Sequence, residues 1–148
     1  MAITKEMYEG NTMWVSTSRM SDALSIMFYR IEKEVPAYEI EIYSPATRSE
    51  TEEINWRDYD ADYQCGDVGS SAFLVIDQVE EVKVPSDCYY SDGTIVFHAQ
   101  IDRDLIEFIK VAQGLQIKIL IPGLKIFDGN NLLILMPNML REWQKILL

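Results

Sequence analysis

The chain has one histidine, two cysteines, 13 basic residues and seven glycines among 148. Each shortage closes off a chemistry. With His98 as the sole histidine, every Ser–His or Cys–His mechanism has to run through that residue. It falls on the more polar side of an alternating stretch, beside Thr94 and Gln100. That is the ordinary setting of a surface or satisfied histidine, since titratable groups signal function when they are clustered and perturbed. Cys65 and Cys88 sit at no metal-ligand spacing and make no disulfide framework. Free thiols in a cytoplasmic protein are therefore expected, a single bridge being the other arrangement. Cys88 precedes His98 across a turn, so a Cys88–His98 approach is conceivable, but a zinc site from His98, Cys65 and Cys88 has no local spacing behind it.

Scarce glycine and scarce positive charge exclude more. There is no Gly-x-x-x-x-Gly-Lys-Ser/Thr loop, and Gly66-x-x-Gly69 is flanked by acids that repel phosphate. A Gly-x-Ser-x-Gly elbow is absent. Thirteen basic residues against 24 acidic ones give the wrong field for nucleic acid. No apolar run approaches the ~20 residues of a membrane span. Met1 to Gly10 carries Lys5, Glu6 and Glu9 and does not read as a secretory signal. No cofactor or metal is implied.

What is there is a globular chain, with 48% hydrophobic and 25% charged residues. Its length predicts one domain, residues 1–148, able to bury roughly 70% of its unfolded surface. Met13 to Val15 reads as a strand. Met20, Leu24, Met27, Ile31 and Val35 recur at spacings of four, three, four and four, which predicts a helix capped by Ser18 or Ser21 and stopped by Pro36. Tyr38, Ile40 and Ile42 alternate with Glu39 and Glu41 and predict a half-buried strand with its carboxylates on the wet face. Ala72 to Val79 reads as a central strand, Val82 to Val84 as a short one, and Thr94 to Ile101 as a third after a Ser91-Asp92-Gly93 turn. A helix follows from Asp102 or Asp104, with Leu105, Phe108, Ile109 and Ala112 inward and Gly114 at its end. Gln116 to Ile121 alternates, Leu124 to Phe127 and Leu132 to Met136 suggest a hairpin, and Pro137-Asn138 opens a last helix that buries Leu140, Trp143, Ile146 and Leu147. The expectation is a single α+β domain with a mostly antiparallel sheet and about three helices. Its outline suggests duplicated strand–helix–strand–strand halves, around residues 13–57 and 94–128.

The most informative feature is where the negative charge sits. Residues 34–92 hold fifteen acidic and three basic residues, a net of −12, while the remaining nine acids and ten bases sum to +1. A field concentrated in this way suits a cationic partner. Within it, Glu50, Glu52, Glu53, Asp58, Asp60, Asp62 and Asp67 are interleaved with Trp56, Tyr59 and Tyr63. If Arg57 to Tyr63 is extended, Asp58, Asp60 and Asp62 share one face and Tyr59, Ala61 and Tyr63 the other. Three readings compete: a charged edge that resists aggregation, a face for a basic protein, and a calcium loop. The last is weak, because Tyr63 stands at the sixth position and Gly69 at the twelfth of the EF-hand pattern.

The sequence thus favours a non-catalytic acidic interaction protein that binds a basic protein partner, of inhibitor, immunity, antitoxin or chaperone type. Glu50, Glu52, Glu53, Trp56, Asp58, Tyr59, Asp60, Asp62 and Tyr63 are its candidate binding residues, Trp and Tyr being typical interface anchors. The alternative is a small-molecule module with an acidic, aromatic pocket for an organic cation. An enzyme ranks third. The apolar stretch from Leu124 to Met136 and the last helix would serve either a homodimer face or the core.

Overall fold

The computed structural model describes residues 2–20, 24–45, 57–59, 62–64, 71–91, 94–120 and 132–147. The fold is a small domain dominated by antiparallel sheet. The chain opens as a meander of β1 (Ala2–Tyr8), β2 (Asn11–Arg19), β3 (Ser25–Ile31) and β4 (Ala37–Pro45). The first turn is tight: Tyr8 pairs with Asn11, and Glu9 and Gly10 between them both have positive φ, 49° and 82°. That is the backbone a two-residue hairpin requires.

Two short strands, β5 (Arg57–Tyr59) and β6 (Asp62–Gln64), precede β7 (Ser71–Ile76), β8 (Glu80–Val84), β9 (Ser86–Ser91) and β10 (Thr94–Ile101). Helix α1 (Arg103–Val111), strands β11 (Leu115–Leu120) and β12 (Leu132–Ile134) and helix α2 (Pro137–Ile146) complete the order. The strands form an eight-stranded sheet, β1-β2-β3-β4-β10-β9-β6-β5, and a four-stranded one, β12-β11-β7-β8. The buried sides of both sheets and both helices share one core, from Ile26, Phe28, Ile40 and Phe97 to Leu74, Ile117, Ile109 and Trp143.

Two helices are present among the described residues, not three. The stretch predicted as the first helix holds strand β3 instead. Its residues satisfy two periods at once. Read at period two, Ile26 and Phe28 fill the core while Tyr29 and Ile31 are buried on the opposite side. A strand covered on both faces is apolar at nearly every position and so also contains a helical spacing. Val35, the last residue of the supposed stripe, is 59% exposed beyond the strand. With that helix goes the duplicated strand–helix–strand–strand layout, since the first half has no helix among its described residues.

The other predicted elements lie close to those observed. Helix α1 starts one residue after Asp102, and Leu105, Ile106 and Ile109 are buried, but Phe108, expected inward, is 53% exposed. Helix α2 begins at Pro137, where the missing N–H costs nothing. Leu132–Ile134 pairs with β11; the proposed partner segment Leu124 to Phe127 lies outside the described residues.

Both helices end on side chains borrowed from elsewhere. The Arg30 Nη1 donates to the Ile146 carbonyl at 2.6 Å, and Gln144 Nε2 donates to the carbonyls of Ile109 (3.0 Å) and Ala112 (2.8 Å). These contacts satisfy carbonyls that a helix end leaves without an internal partner. Asp77, at the left-handed corner between β7 and β8, accepts the N–H groups of Gln113 (2.8 Å) and Gly114 (2.9 Å) through Oδ1 and ties that corner to the end of α1. Cys88 is buried and disulfide-bonded. The expectation of free thiols is therefore corrected, and with it goes the argument from thiols for a cytoplasmic setting. The chain's other cysteine, Cys65, lies outside the described residues. No helix among the described residues is long and apolar enough to cross a membrane.

Candidate functional site

Alternation along β4 sends Tyr38, Ile40 and Ile42 toward the core and Glu39, Glu41 and Tyr43 to the outer face of the large sheet. The two neighbours of β4 decide what those carboxylates meet. On one side β3 places Tyr29 opposite Glu39. On the other, β10 places His98 opposite Glu41 and Gln100 opposite Glu39. Beyond β10, strand β9 sets Asp87 opposite His98. Two strand pairs distant in sequence, β3–β4 and β9–β10, thus deliver three carboxylates, two tyrosines and the only histidine to one patch.

The contacts are close. His98 Nε2 lies 3.1 Å from Glu39 Oε1, and Nδ1 lies 3.3 Å from Asp87 Oδ1. A carboxylate at each nitrogen calls for a proton on both, so the geometry favours the imidazolium. Hydrogen bonding to Glu39 accordingly raises the His98 pKa, against burial that acts the other way, with the charges of Glu39, Asp87 and Glu41 adding to the rise. Glu39 is held below the usual carboxylate range, first by its bond with His98 and then by Tyr29, also against burial. The Tyr29 hydroxyl donates to Glu41 Oε1 at 2.7 Å, and Tyr43 donates to Glu41 Oε2. Burial, followed by the bond to Glu41, pushes the Tyr29 hydroxyl well above its ordinary pKa.

This arrangement is poorly suited to histidine catalysis. Both ring nitrogens of His98 face acceptors, which leaves no lone pair to take a proton from a nucleophile. Cys88 pairs with Phe97, one register position from His98, and therefore lies on the opposite, core-facing side of the sheet. The conceivable Cys88–His98 pair is thereby corrected. Among the described residues no group of three His, Cys, Asp or Glu side chains is placed to hold a metal ion.

The nine residues singled out by the sequence fare unevenly. Glu50, Glu52, Glu53, Trp56 and Asp60 lie outside the described residues. Asp58 and Tyr59 belong to β5, Asp62 and Tyr63 to β6. The segment is a hairpin, not one extended strand: Asp58 pairs with Tyr63 and Tyr59 with Asp62. The single extended strand from Arg57 to Tyr63, on which the row of carboxylates was premised, is therefore not what the backbone adopts. Gln64 pairs with Tyr89, which pairs with Val96.

The chain matches no protein-family model, no curated protein and no solved structure.

Sequence reasoning passed over Glu39, Glu41, Asp87, Tyr29 and Tyr43. A signal was present in Glu39-x-Glu41 and in the polar side of His98. What joins them is the insertion of β10 between β4 and β9, which no local pattern reveals.

Proposed function

We propose that this protein is a non-catalytic binding module that presents an acidic face of its large sheet to a basic protein, as an inhibitor, immunity protein, antitoxin or chaperone would. One observation carries the reading. Strands β4, β9, β6 and β5 all come from the acidic stretch 34–92, and they stand together in one half of the sheet with β10 alone between them. Glu39, Glu41 and Asp87 thus face the same way. A gathered field of this kind speeds encounter with a cation and disfavours wrong partners. At physiological salt it fades within about 8 Å, so short-range contacts are also needed. Tyr43, half-buried beside Glu41, offers the aromatic surface within the patch.

The organic-cation pocket finds less support. Two cavities lined by described residues carry positive charge: one of about 210 Å³ is bordered by Ile3, Trp14, Arg30, Lys145 and Ile146, and one of about 410 Å³ by Thr17, Ser18, Arg19, Met136, Asn138 and Met139. Their sign is wrong for that ligand, and neither includes the acidic patch.

Titration calorimetry against a panel of basic proteins tests the proposal. A binder should lose affinity steeply with added salt. Asp87→Lys reverses a charge on a side chain that is 68% exposed, so the fold should survive while affinity drops about tenfold or more, a change of 1.4 kcal/mol. Affinity unchanged in Asp87→Lys would remove this face from the binding surface.

A further inference from the structure

His98 stands inside the acidic patch, where a positive charge is least expected if the patch exists to attract cations. Its ring is bracketed by Glu39 at 3.1 Å and Asp87 at 3.3 Å. Glu41 of β4 is its direct cross-strand partner. Tyr29 of β3 and Tyr43 of β4 bond Glu41, and Gln100 on its own strand bonds Glu39. The groups facing it are therefore three carboxylates and neutral donors, and no lysine or arginine is among these contacts. The two flanking acids differ in reach. The Glu39 side chain is 16% exposed and His98 21%, whereas Asp87 is 68% exposed. An arriving cation can pair with Asp87 while Glu39 stays bonded to Nε2.

We propose that His98 is a proton-exchange element of the acidic face: an arginine or lysine side chain of the partner docks at Asp87, repels the imidazolium beside it, and drives one proton from His98 into solvent. The inference rests on the acidic-face reading and adds its regulation. No covalent bond changes; the proton leaves to buffer, and the partner's cation replaces the lost charge. By reciprocity, a face that releases a proton on binding binds less well where protons are abundant. Affinity for a cation then rises with pH, by up to tenfold per unit, until His98 is neutral before the partner arrives. Hydrogen bonding to Glu39 raises the His98 pKa and so moves that range upward from the ordinary one of histidine.

The single histidine makes the test direct, because its ring protons give unassisted reporter signals in a proton NMR spectrum. The probe is an oligoarginine peptide, with oligoglutamate as control. We expect the apparent His98 pKa to fall when oligoarginine is bound. Calorimetry in two buffers of different ionisation enthalpy should show up to one proton released per site, and His98→Asn should bind without the release or the pH slope. A bound peptide that leaves the His98 titration unmoved, or a His98→Asn variant that keeps the slope, overturns the exchange role and leaves the acidic face standing. Failure of the wild-type protein to bind oligoarginine at any pH overturns both.

Discussion

Removing one negative charge at Glu39 should cost far more than removing one at Asp87, although both touch the same imidazole. The Glu39 contact, at 3.1 Å, joins side chains that are 16% and 21% exposed, and the carboxylate is also bonded by Tyr29 and Gln100. A hydrogen bond to a charged group is worth about 1.5–3 kcal/mol in such surroundings. Glu39→Gln keeps the shape and one acceptor oxygen, so about 2 kcal/mol is expected. The Asp87 contact, at 3.3 Å, is made by a carboxylate 68% exposed to water; screened pairs give about 0–1 kcal/mol. For a chain of this size each kcal/mol moves Tm by roughly 2–4 °C. The expectation is thus a drop of about 4–8 °C for Glu39→Gln and about 4 °C or less for Asp87→Asn.

Linkage adds a second signature. His98 has a raised pKa in the folded state, so its contribution is whole below its ordinary 6.5 and fades as pH climbs through the folded value. Glu39 is depressed, so its contribution is whole above its ordinary 4.5 and fades as pH falls. The pair stabilises most between those two values. Thermal and urea melts of both variants and the parent, near pH 6 and again near pH 9, measure all of this. Equal costs for the two substitutions, or a Glu39→Gln penalty that does not shrink at the higher pH, would refute the argument.

Trp143→Ala should destabilise by about 3–5 kcal/mol, since the ring is buried and stacked on Phe28 at 4.6 Å; a denaturant midpoint moved by less than a third of that would mean the helix repacks. Arg30→Met should cost about 1–3 kcal/mol by leaving the Ile146 carbonyl without its donor, and amide exchange should rise first in the last turn of α2. Non-reducing peptide mapping should find Cys88 linked to the peptide bearing Cys65; an intrachain bridge of that span is worth about 3 kcal/mol, read as a fall in stability on reduction. A native Cys88 that reacts at once with a thiol reagent would contradict it.

Period-two stretches were legible where one face is wet: Glu39 and Glu41 beside Ile40 and Ile42, and Thr94 to Ile101, are strands as read, and the stretch read as Gln116 to Ile121 is strand Leu115–Leu120 over its described residues. So was the last helix, where Pro137 and the spacing of Leu140, Trp143 and Leu147 agree. Strand β3 misled because burial on both sides erases the alternation that distinguishes a strand from a helix. Phe108 misled because a helix face that packs on a sheet is narrower than the apolar stripe in its sequence. The site was illegible for a different reason. Its charge could be counted, but Glu39 and Glu41 meet His98 only through the pairing of β4 with β10, between residues dozens of positions apart.

Strand β10 is the wedge that makes this so. A chain ending before Thr94 would already carry all fifteen acids of the stretch 34–92, yet β4 and β9 would lack the ribbon that joins them. Such long-range pairings are entropically costly to close and tend to form slowly. On the acidic-face proposal, the charged surface would be a certificate of completed folding: a cationic protein that reads it would engage finished molecules and pass over partial ones, however much charge those fragments hold.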